Sequence, residues 1–117
     1  MNNKELQAAR MLLFLSVKEA SEQIGRVSAR SWQRWEKGDQ AVPKDVEGEM
    51  LTLCAKRTEM IDDIEDLAFD EEATVEMAYY MTFNEYRIDH RGASIIDWRL
   101  SQSVAAYFFG DGVGSLS

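Results

Sequence analysis

The fold is decided by one stretch of the sequence, Val27-Ser28-Ala29-Arg30-Ser31-Trp32-Gln33-Arg34-Trp35-Glu36-Lys37-Gly38. Ser28 is a preferred N-cap residue, because its hydroxyl can accept a hydrogen bond from a free backbone amide of the first helical turn. Gly38 is of the residue type that usually follows the end of a helix. The stretch therefore predicts a short helix that begins after Ser28 and ends before Gly38.

The two sides of this predicted helix differ in chemistry. An apolar stripe is formed by Val27, by Ser31 or Trp32, and by Trp35, which assigns both tryptophans to the core. The opposite side carries mostly long hydrogen-bond donors, and its members are Ala29, Arg30, Gln33, Arg34 and Lys37. A helical surface that is rich in such donors and poor in carboxylates favours contact with a nucleic acid.

The residues on either side of the stretch predict further helices. Ser16 and Glu19 form a Ser-x-x-Glu capping box, which predicts a helix over residues 15–25 whose inward side holds Val17, Ala20 and Ile24. A polar loop follows Gly38, and Pro43 then stands at a plausible first helical position. A periodic apolar series continues the third helix with Val46, Met50 and Leu53.

This order of helix, turn, helix, loop and helix resembles the lambda-repressor-like (Xre-type) helix-turn-helix regulators, which lay the second helix of the motif in the major groove. Two stretches are also similar to the YdiL-type proteins and the related anti-CRISPR-associated repressors, namely Gly25-Arg26-Val27-Ser28-Ala29-Arg30-Ser31-Trp32-Gln33 and Trp98-Arg99-Leu100-Ser101-Gln102-Ser103-Val104-Ala105-Ala106. This second similarity covers nearly the whole chain. One residue departs from the general Xre pattern, because Arg26 lengthens the turn between Gly25 and Val27.

The resemblance implies a mainly α fold in two parts. Residues 1–68 would form a helix-turn-helix DNA-binding domain, and residues 69–117 would form a small C-terminal α(+β) dimerisation region. It further implies a homodimeric repressor that shuts down its own operon through inverted-repeat operators in double-stranded DNA.

Roles for single residues follow from this resemblance and from side-chain geometry. Arg30 can bind O6 and N7 of guanine together, Gln33 can offer adenine a paired donor and acceptor, and Ala29 can contact a thymine methyl group. The residues better placed to contact the DNA backbone are Arg26, Ser28, Arg34 and Lys37. For each of them the alternative is a solvated surface residue with no partner.

The net charge of −8 opposes a DNA partner at first sight, because affinity for the duplex comes largely from Lys and Arg side chains that neutralise phosphates. The charge is unevenly distributed, with +1 over residues 1–60 and −9 over residues 61–117. Across the predicted recognition helix and its turn, Glu36 is the only carboxylate among four cations. The net charge therefore does not exclude DNA binding, and an acidic second half would repel DNA from the wrong face.

The middle of the chain predicts helix and then strand. A helical apolar rhythm runs through Val46, Met50, Leu53, Met60, Ile64 and Leu67, and its interruption at Arg57 suggests two helices that meet there. The acidic residues between Asp62 and Glu76 lack the spacing of a calcium loop and are expected to be solvated. Apolar and polar residues alternate from Val75 to Phe83, which predicts a strand. The chain offers no second convincing strand, so pairing with the same strand of another subunit is expected.

The C-terminal residues predict helices and a dimer interface. Thr82 with Glu85, and Ser94 with Asp97, form capping boxes that start a helix through Tyr86 and another from Ile95 to about Phe109. The last helix is apolar on most sides, as expected for an element that is buried in a core and in a dimer interface together. The predicted interface residues are Tyr79, Ile96, Leu100, Val104 and Tyr107. Residues 110–117 are expected to be loose.

Composition and motifs weigh against several other classes of protein. The single cysteine, Cys54, excludes an internal disulfide and favours a reducing compartment. The sequence has no apolar run that would cross a bilayer and no secretory signal pattern, so a soluble cytoplasmic protein is expected. It has no motif for a metal or another cofactor. His90 has no nucleophile beside it in a recognisable motif, which argues against an enzyme.

Two alternatives to a repressor stay open. In the first, the chain is an antitoxin-type DNA-binding protein whose acidic second half neutralises a protein partner. In the second, the same basic helix face binds structured RNA.

Overall fold

The computed structural model describes residues 1–68 and 75–117. These residues form a mainly helical fold, which confirms the predicted fold class. In chain order the elements are α1 (Asn3–Leu12), α2 (Val17–Ala20), a π-helical turn (Ser21–Gly25), α3 (Ala29–Lys37), α4 (Lys44–Ala68), β1 (Val75–Met77), α5 (Phe83–Asp89), α6 (Ile95–Gly110) and β2 (Gly114–Leu116). The chain divides into two compact units, Met1–Lys56 and Arg57–Ser117, with the division inside α4. The functional boundary at residue 68 stays a prediction.

The first unit is a helical motif whose helix ends are set by local hydrogen bonds. The predicted capping box is confirmed, because the Glu19 amide donates to the Ser16 hydroxyl (3.1 Å) and the Ser16 amide donates to the Glu19 carboxylate (2.9 Å). Helices α1 and α2 and the π-helical turn all pack on α3. The buried apolar residues of this unit are Leu6, Leu13, Leu15, Ala20, Ile24, Trp32, Trp35, Val46 and Met50.

Helix α4 corrects two details of the prediction. It begins at Lys44 and not at Pro43, whose carbonyl accepts the amide of Glu47 (3.0 Å) and so stands at the cap. It is one continuous helix of 25 residues and not two helices meeting near Arg57. Arginine is a good helix former, so an interruption of the apolar rhythm does not break the backbone. Leu67 is 82% exposed, which removes it from the predicted core stripe.

The second unit contains a strand pair that the sequence did not predict. β1 pairs in parallel with β2, with Val75 opposite Gly114 and Met77 opposite Leu116. The expectation that the chain offers no second strand is therefore wrong, and β1 does not need another subunit for a partner. Residues 114–116 form β2, so the last residues are not loose as expected. Gly112, with φ of +76°, reverses the chain after α6, so that β2 runs back alongside β1. The strand is also shorter than the predicted alternation from residue 75 to 83.

Helix α6 lies at the centre of the second unit. Val104 and Phe108 pack with Ile61 of α4, and Met60, Ile64, Met77 and Tyr107 lie against this cluster. The Ser94–Asp97 capping box is confirmed, whereas at the start of α5 the structure has the Thr82 half of the predicted box, in which the hydroxyl accepts the Glu85 amide (3.2 Å).

The segment that precedes α5 is fastened to α6. The carbonyl of Tyr80 accepts hydrogen bonds from the Trp98 indole and from the Gln102 amide, both at 2.8 Å. His90 is exposed, and its ring stacks on Tyr86 with centroids 4.1 Å apart. In the part of the chain that the structure describes, no helix has the length and apolar character needed to cross a membrane.

Candidate nucleic-acid interface

The ends of α3 are fixed by the two residues that the sequence indicated. Ser28 has extended backbone angles, and its hydroxyl accepts the amide of Ser31 (3.2 Å). Gly38 adopts the left-handed conformation (φ +84°), and its amide donates to the carbonyls of Arg34 and Trp35. The predicted N-cap and helix stop are thus confirmed, and they limit α3 to nine residues.

The inner side of α3 is formed by its two tryptophans, as predicted. Trp32 is fully buried and Trp35 is nearly so, and their rings are tilted with centroids 5.4 Å apart. The turn before α3 passes close to them, because a Cβ added at Gly25 would lie 3.1 Å from Cε3 of Trp32 and 3.2 Å from Cζ3 of Trp35. Glycine at position 25 therefore allows this segment to pack closely against the two indoles. Because the indoles are held on the inner side of α3, the opposite side of the helix faces outward.

An ion pair ties α3 to α1. The guanidinium of Arg10 donates through Nε (2.7 Å) and Nη2 (3.0 Å) to the two carboxylate oxygens of Glu36. The indole of Trp32 also donates to this carboxylate, and the side-chain amide Nδ2 of Asn3 donates to the backbone carbonyl of Glu36 (3.2 Å). Burial raises the pKa of Glu36, but the hydrogen bonds from Arg10 and Trp32 and the charge of Arg10 outweigh it, so the pKa lies below its ordinary value of 4.5.

The placement of Glu36 changes the charge of the candidate surface. In the sequence this carboxylate opposes the cations of α3 and its turn, but its side chain is only 8% exposed and is neutralised by Arg10. A signal for this was present in the sequence, because Glu36 follows Trp32 by four residues and therefore lies on the buried side of the helix. The outer face of α3 is consequently more positive than the sequence count suggested.

All seven residues predicted to contact DNA are exposed, and they are Arg26, Ser28, Ala29, Arg30, Gln33, Arg34 and Lys37. The structure brings six of them to α3 and its N-cap, and Arg26 to the turn just before it. Within residues 1–68 and 75–117, no carboxylate forms an ion pair with Arg30, Arg34 or Lys37. Their charges are therefore available to an anionic partner.

The extra residue of the turn is accommodated in a specific way. Residues Ser21–Gly25 form a π-helical turn, and Arg26 follows in the left-handed conformation (φ 52°). The amides of Arg26 and Val27 both donate to the carbonyl of Ser21. A π-turn holds one residue more than an α-turn, so the insertion widens the last turn of the preceding helix. The position of the added residue could be predicted from the sequence, but the π-helical conformation of the turn could not.

The residues predicted for a dimer interface differ in exposure. Tyr79, Ile96 and Tyr107 are partly exposed, whereas Leu100 and Val104 are each only 1% exposed. These last two side chains belong to the core of the protomer and offer a second copy no side-chain surface. Apolar residues outside the predicted interface that are exposed include Met81, Phe109 and Val113.

Comparison with known proteins gives results over the full chain. The model of a family described as Aca2/YdiL-like matches residues 1–116. The chain is 52% identical over 116 residues to the protein named Aca2 repressor of Pectobacterium phage ZF40, with 99% of each chain covered. It is 26% identical over 110 residues to the uncharacterized protein YdiL of Escherichia coli strain K12, with 93% of each chain covered.

Proposed function

The chain belongs to the Aca2/YdiL-like family, and from this premise we propose that it is a dimeric, sequence-specific DNA-binding repressor. The observation that carries the proposal is the outer face of α3, where exposed donors stand opposite two buried tryptophans. The similarity to a protein named as a repressor extends over 99% of the chain, so it includes this helix. The assignment to a regulator and not to an enzyme rests on the same two observations.

In this proposal α3 enters the major groove of double-stranded DNA. Arg30 and Gln33 point outward one turn apart, where a fork of donors can meet guanine and an amide can meet adenine. Ala29, at the start of the helix, is small enough to contact a thymine methyl group. Arg26, Arg34 and Lys37 contact phosphates, and the Ser28 hydroxyl adds a phosphate contact while it continues to accept the Ser31 amide.

Dimerisation through the second unit would place two copies of α3 in successive major grooves about 34 Å apart, which is one helical turn of DNA. An imperfect inverted repeat is then the expected operator, because the symmetry of the site follows the two-fold axis of the protein. Of the predicted interface residues, the partly exposed Tyr79, Ile96 and Tyr107 are the ones proposed to contact the second copy.

The proposal is tested by fluorescence-anisotropy titration of the purified protein with the duplex just upstream of its own gene, at near-physiological salt. A scrambled duplex and the variant Arg30→Ala are the controls. Tight binding that requires the palindrome and Arg30 would establish a repressor of its own operon.

Absence of DNA binding by a folded dimer would overturn the proposal. It would favour binding of structured RNA through the same face, or an antitoxin role in which the acidic second unit neutralises a basic protein. A pull-down that recovers a small basic protein in stoichiometric amount would support the antitoxin role, and titration with transcript from the same region would test RNA.

A further inference from the structure

Arg26 is held in an unusual position directly before α3. It is a non-glycine residue with positive φ, a backbone conformation that L-residues rarely adopt. Its amide closes the π-helical turn by donating to the Ser21 carbonyl. The direction in which its side chain leaves the backbone is therefore set by the turn, two residues before the N-cap of the recognition helix.

The guanidinium of Arg26 is shared between two acceptors of its own protein. Its Nη1 lies 3.3 Å from the carboxylate of Glu49 on α4 and 3.4 Å from the carbonyl of Ile24. Both charged side chains are well exposed, at 70% for Arg26 and 43% for Glu49. Such exposed pairs add little to folding stability, because solvent and salt screen them. The pair is therefore weak enough for an incoming anion to open it at a small cost.

We propose that Glu49 competes with a DNA phosphate for Arg26 and so limits the affinity of the protein for DNA of any sequence. The inference rests on the proposed function, in which Arg26 contacts the backbone. A phosphate that binds Arg26 must displace the carboxylate or bind close to it and be repelled by its negative charge. The competition acts on a backbone contact, so it lowers specific and non-specific binding equally and leaves base preference unchanged.

The test is a double-mutant cycle on DNA binding, measured by anisotropy on the operator and on a scrambled duplex. Glu49→Gln removes the negative charge and keeps the shape of the side chain. Arg26→Gly removes the guanidinium and keeps the left-handed backbone without strain, because glycine adopts positive φ readily. Asp45→Asn is the matched control, since Asp45 is an exposed carboxylate one turn earlier on the same helix.

We expect Glu49→Gln to bind both duplexes about 2- to 5-fold more tightly, the range of an exposed ion pair. This gain in affinity should vanish when Glu49→Gln is made in the Arg26→Gly background. The control Asp45→Asn should increase the affinity by less than half as much as Glu49→Gln does. An equal gain in both backgrounds would overturn the proposal, because it would show general repulsion of DNA by the carboxylate.

Two other results would also overturn it. Unchanged binding by Glu49→Gln would show that the pair is irrelevant to DNA. Weaker binding by the variant would show that Glu49 positions Arg26 and does not compete for it. Wild-type protein that binds neither duplex would refute the proposed function itself, which is distinguishable from all of these outcomes.

Discussion

Arg30 and Lys37 lie on the same exposed face of α3 but should contribute to DNA binding in different ways. Arg30→Ala should cost about 1–3 kcal/mol on the operator and relax the preference at one base pair, because it removes a paired contact to a base. Lys37→Ala should weaken binding to all sequences alike and flatten the salt dependence by about one phosphate contact. Titrations on specific and random duplexes at several salt concentrations measure both effects. If the two variants lost the same affinity on both duplexes, the assigned roles would be refuted.

Glu36 should be important for stability and not for contact with DNA. Glu36→Gln leaves the guanidinium of Arg10, itself only 14% exposed, without its charged partner. Removal of one member of a partly buried ion pair costs about 1–3 kcal/mol, because the remaining charge stays partly desolvated. Urea unfolding at pH 7 measures the loss. Glu22→Gln is the control, because Glu22 is an exposed carboxylate and its substitution should change stability by less than about 0.5 kcal/mol. Equal effects of the two variants would contradict the role of the ion pair.

The lowered pKa of Glu36 gives this stability a pH dependence with a definite sign. The folded protein holds the carboxylate ionised to lower pH than the unfolded chain does. The contribution is therefore complete above the unfolded value of about 4.5 and is lost as the pH falls through the folded pKa. The difference in unfolding free energy between wild type and Glu36→Gln should shrink as the pH is lowered below this value. A difference that stays constant from pH 7 to pH 3 would contradict this account.

At the scale of elements, β2 depends on close contact with α6. A Cβ added at Gly114 would lie 2.9 Å from Cβ of Phe108 and 3.1 Å from its backbone carbon, which is too close without a shift of the strand. We expect Gly114→Ala to destabilise the protein by about 1–3 kcal/mol, the usual cost of overpacking. The control is Gly110→Ala, because a Cβ at Gly110 meets no atom within 4 Å among the described residues. Chemical unfolding of both variants tests this contact between β2 and α6, and equal stabilities would contradict it.

The turn between α2 and α3 shows how one added residue is absorbed by an element. The backbone amides of Arg26 and Val27 both donate hydrogen bonds to the carbonyl of Ser21. The extra residue therefore widens a turn and does not break the packing of the two helices on each other. The position of α3 relative to α2 consequently depends on the conformation of the π-helical turn. The capping residues of the two helices do not predict that conformation.

At the scale of the whole molecule, a test of the proposed dimer requires a substitution that does not disturb the core. Leu100→Glu would place a charge in the core of the protomer and unfold it, so loss of the dimer in that variant would be uninformative. Ile96→Glu changes a partly exposed residue of the proposed interface. We expect it to give a folded monomer that has lost tight operator binding, as measured by sedimentation and anisotropy.

The matched control for the dimer is Ile88→Glu, because Ile88 is an isoleucine of α5 that is 73% exposed and lies outside the predicted interface. This variant should remain a dimer and keep its affinity for the operator. A folded Ile96→Glu dimer would refute the proposed interface, and dissociation of both variants would place the interface on a broader surface of the second unit.

The two halves of the charge distribution also act at this scale. The outer face of α3 carries cations without ion-pair partners among the described residues, whereas residues 61–117 carry a net charge of −9. In the proposed complex with DNA, this distribution would attract the phosphates to α3 and repel them from the acidic residues.

The sequence by itself determined the local features of this protein. The caps of α2, α3 and α6, the burial of Trp32 and Trp35, and the exposed face of α3 follow from residues within one or two helical turns of each other. Such short-range hydrogen bonds and periodicities are written in consecutive residues, so they could be predicted without the rest of the chain.

The tertiary structure alone decided the features that join distant residues. The partner of Glu36 is Arg10, which lies 26 residues earlier in the chain, and β1 pairs with β2, which follows it only after α5 and α6. Leu100 and Val104 are buried within the single chain, at 1% exposure each, so their side chains offer no surface to a second copy. These features depend on the free energy gained when groups that are far apart in the chain are buried or paired. A strand of three residues, such as Gly114–Leu116, is also too short to show the alternation of apolar and polar residues that predicts a strand.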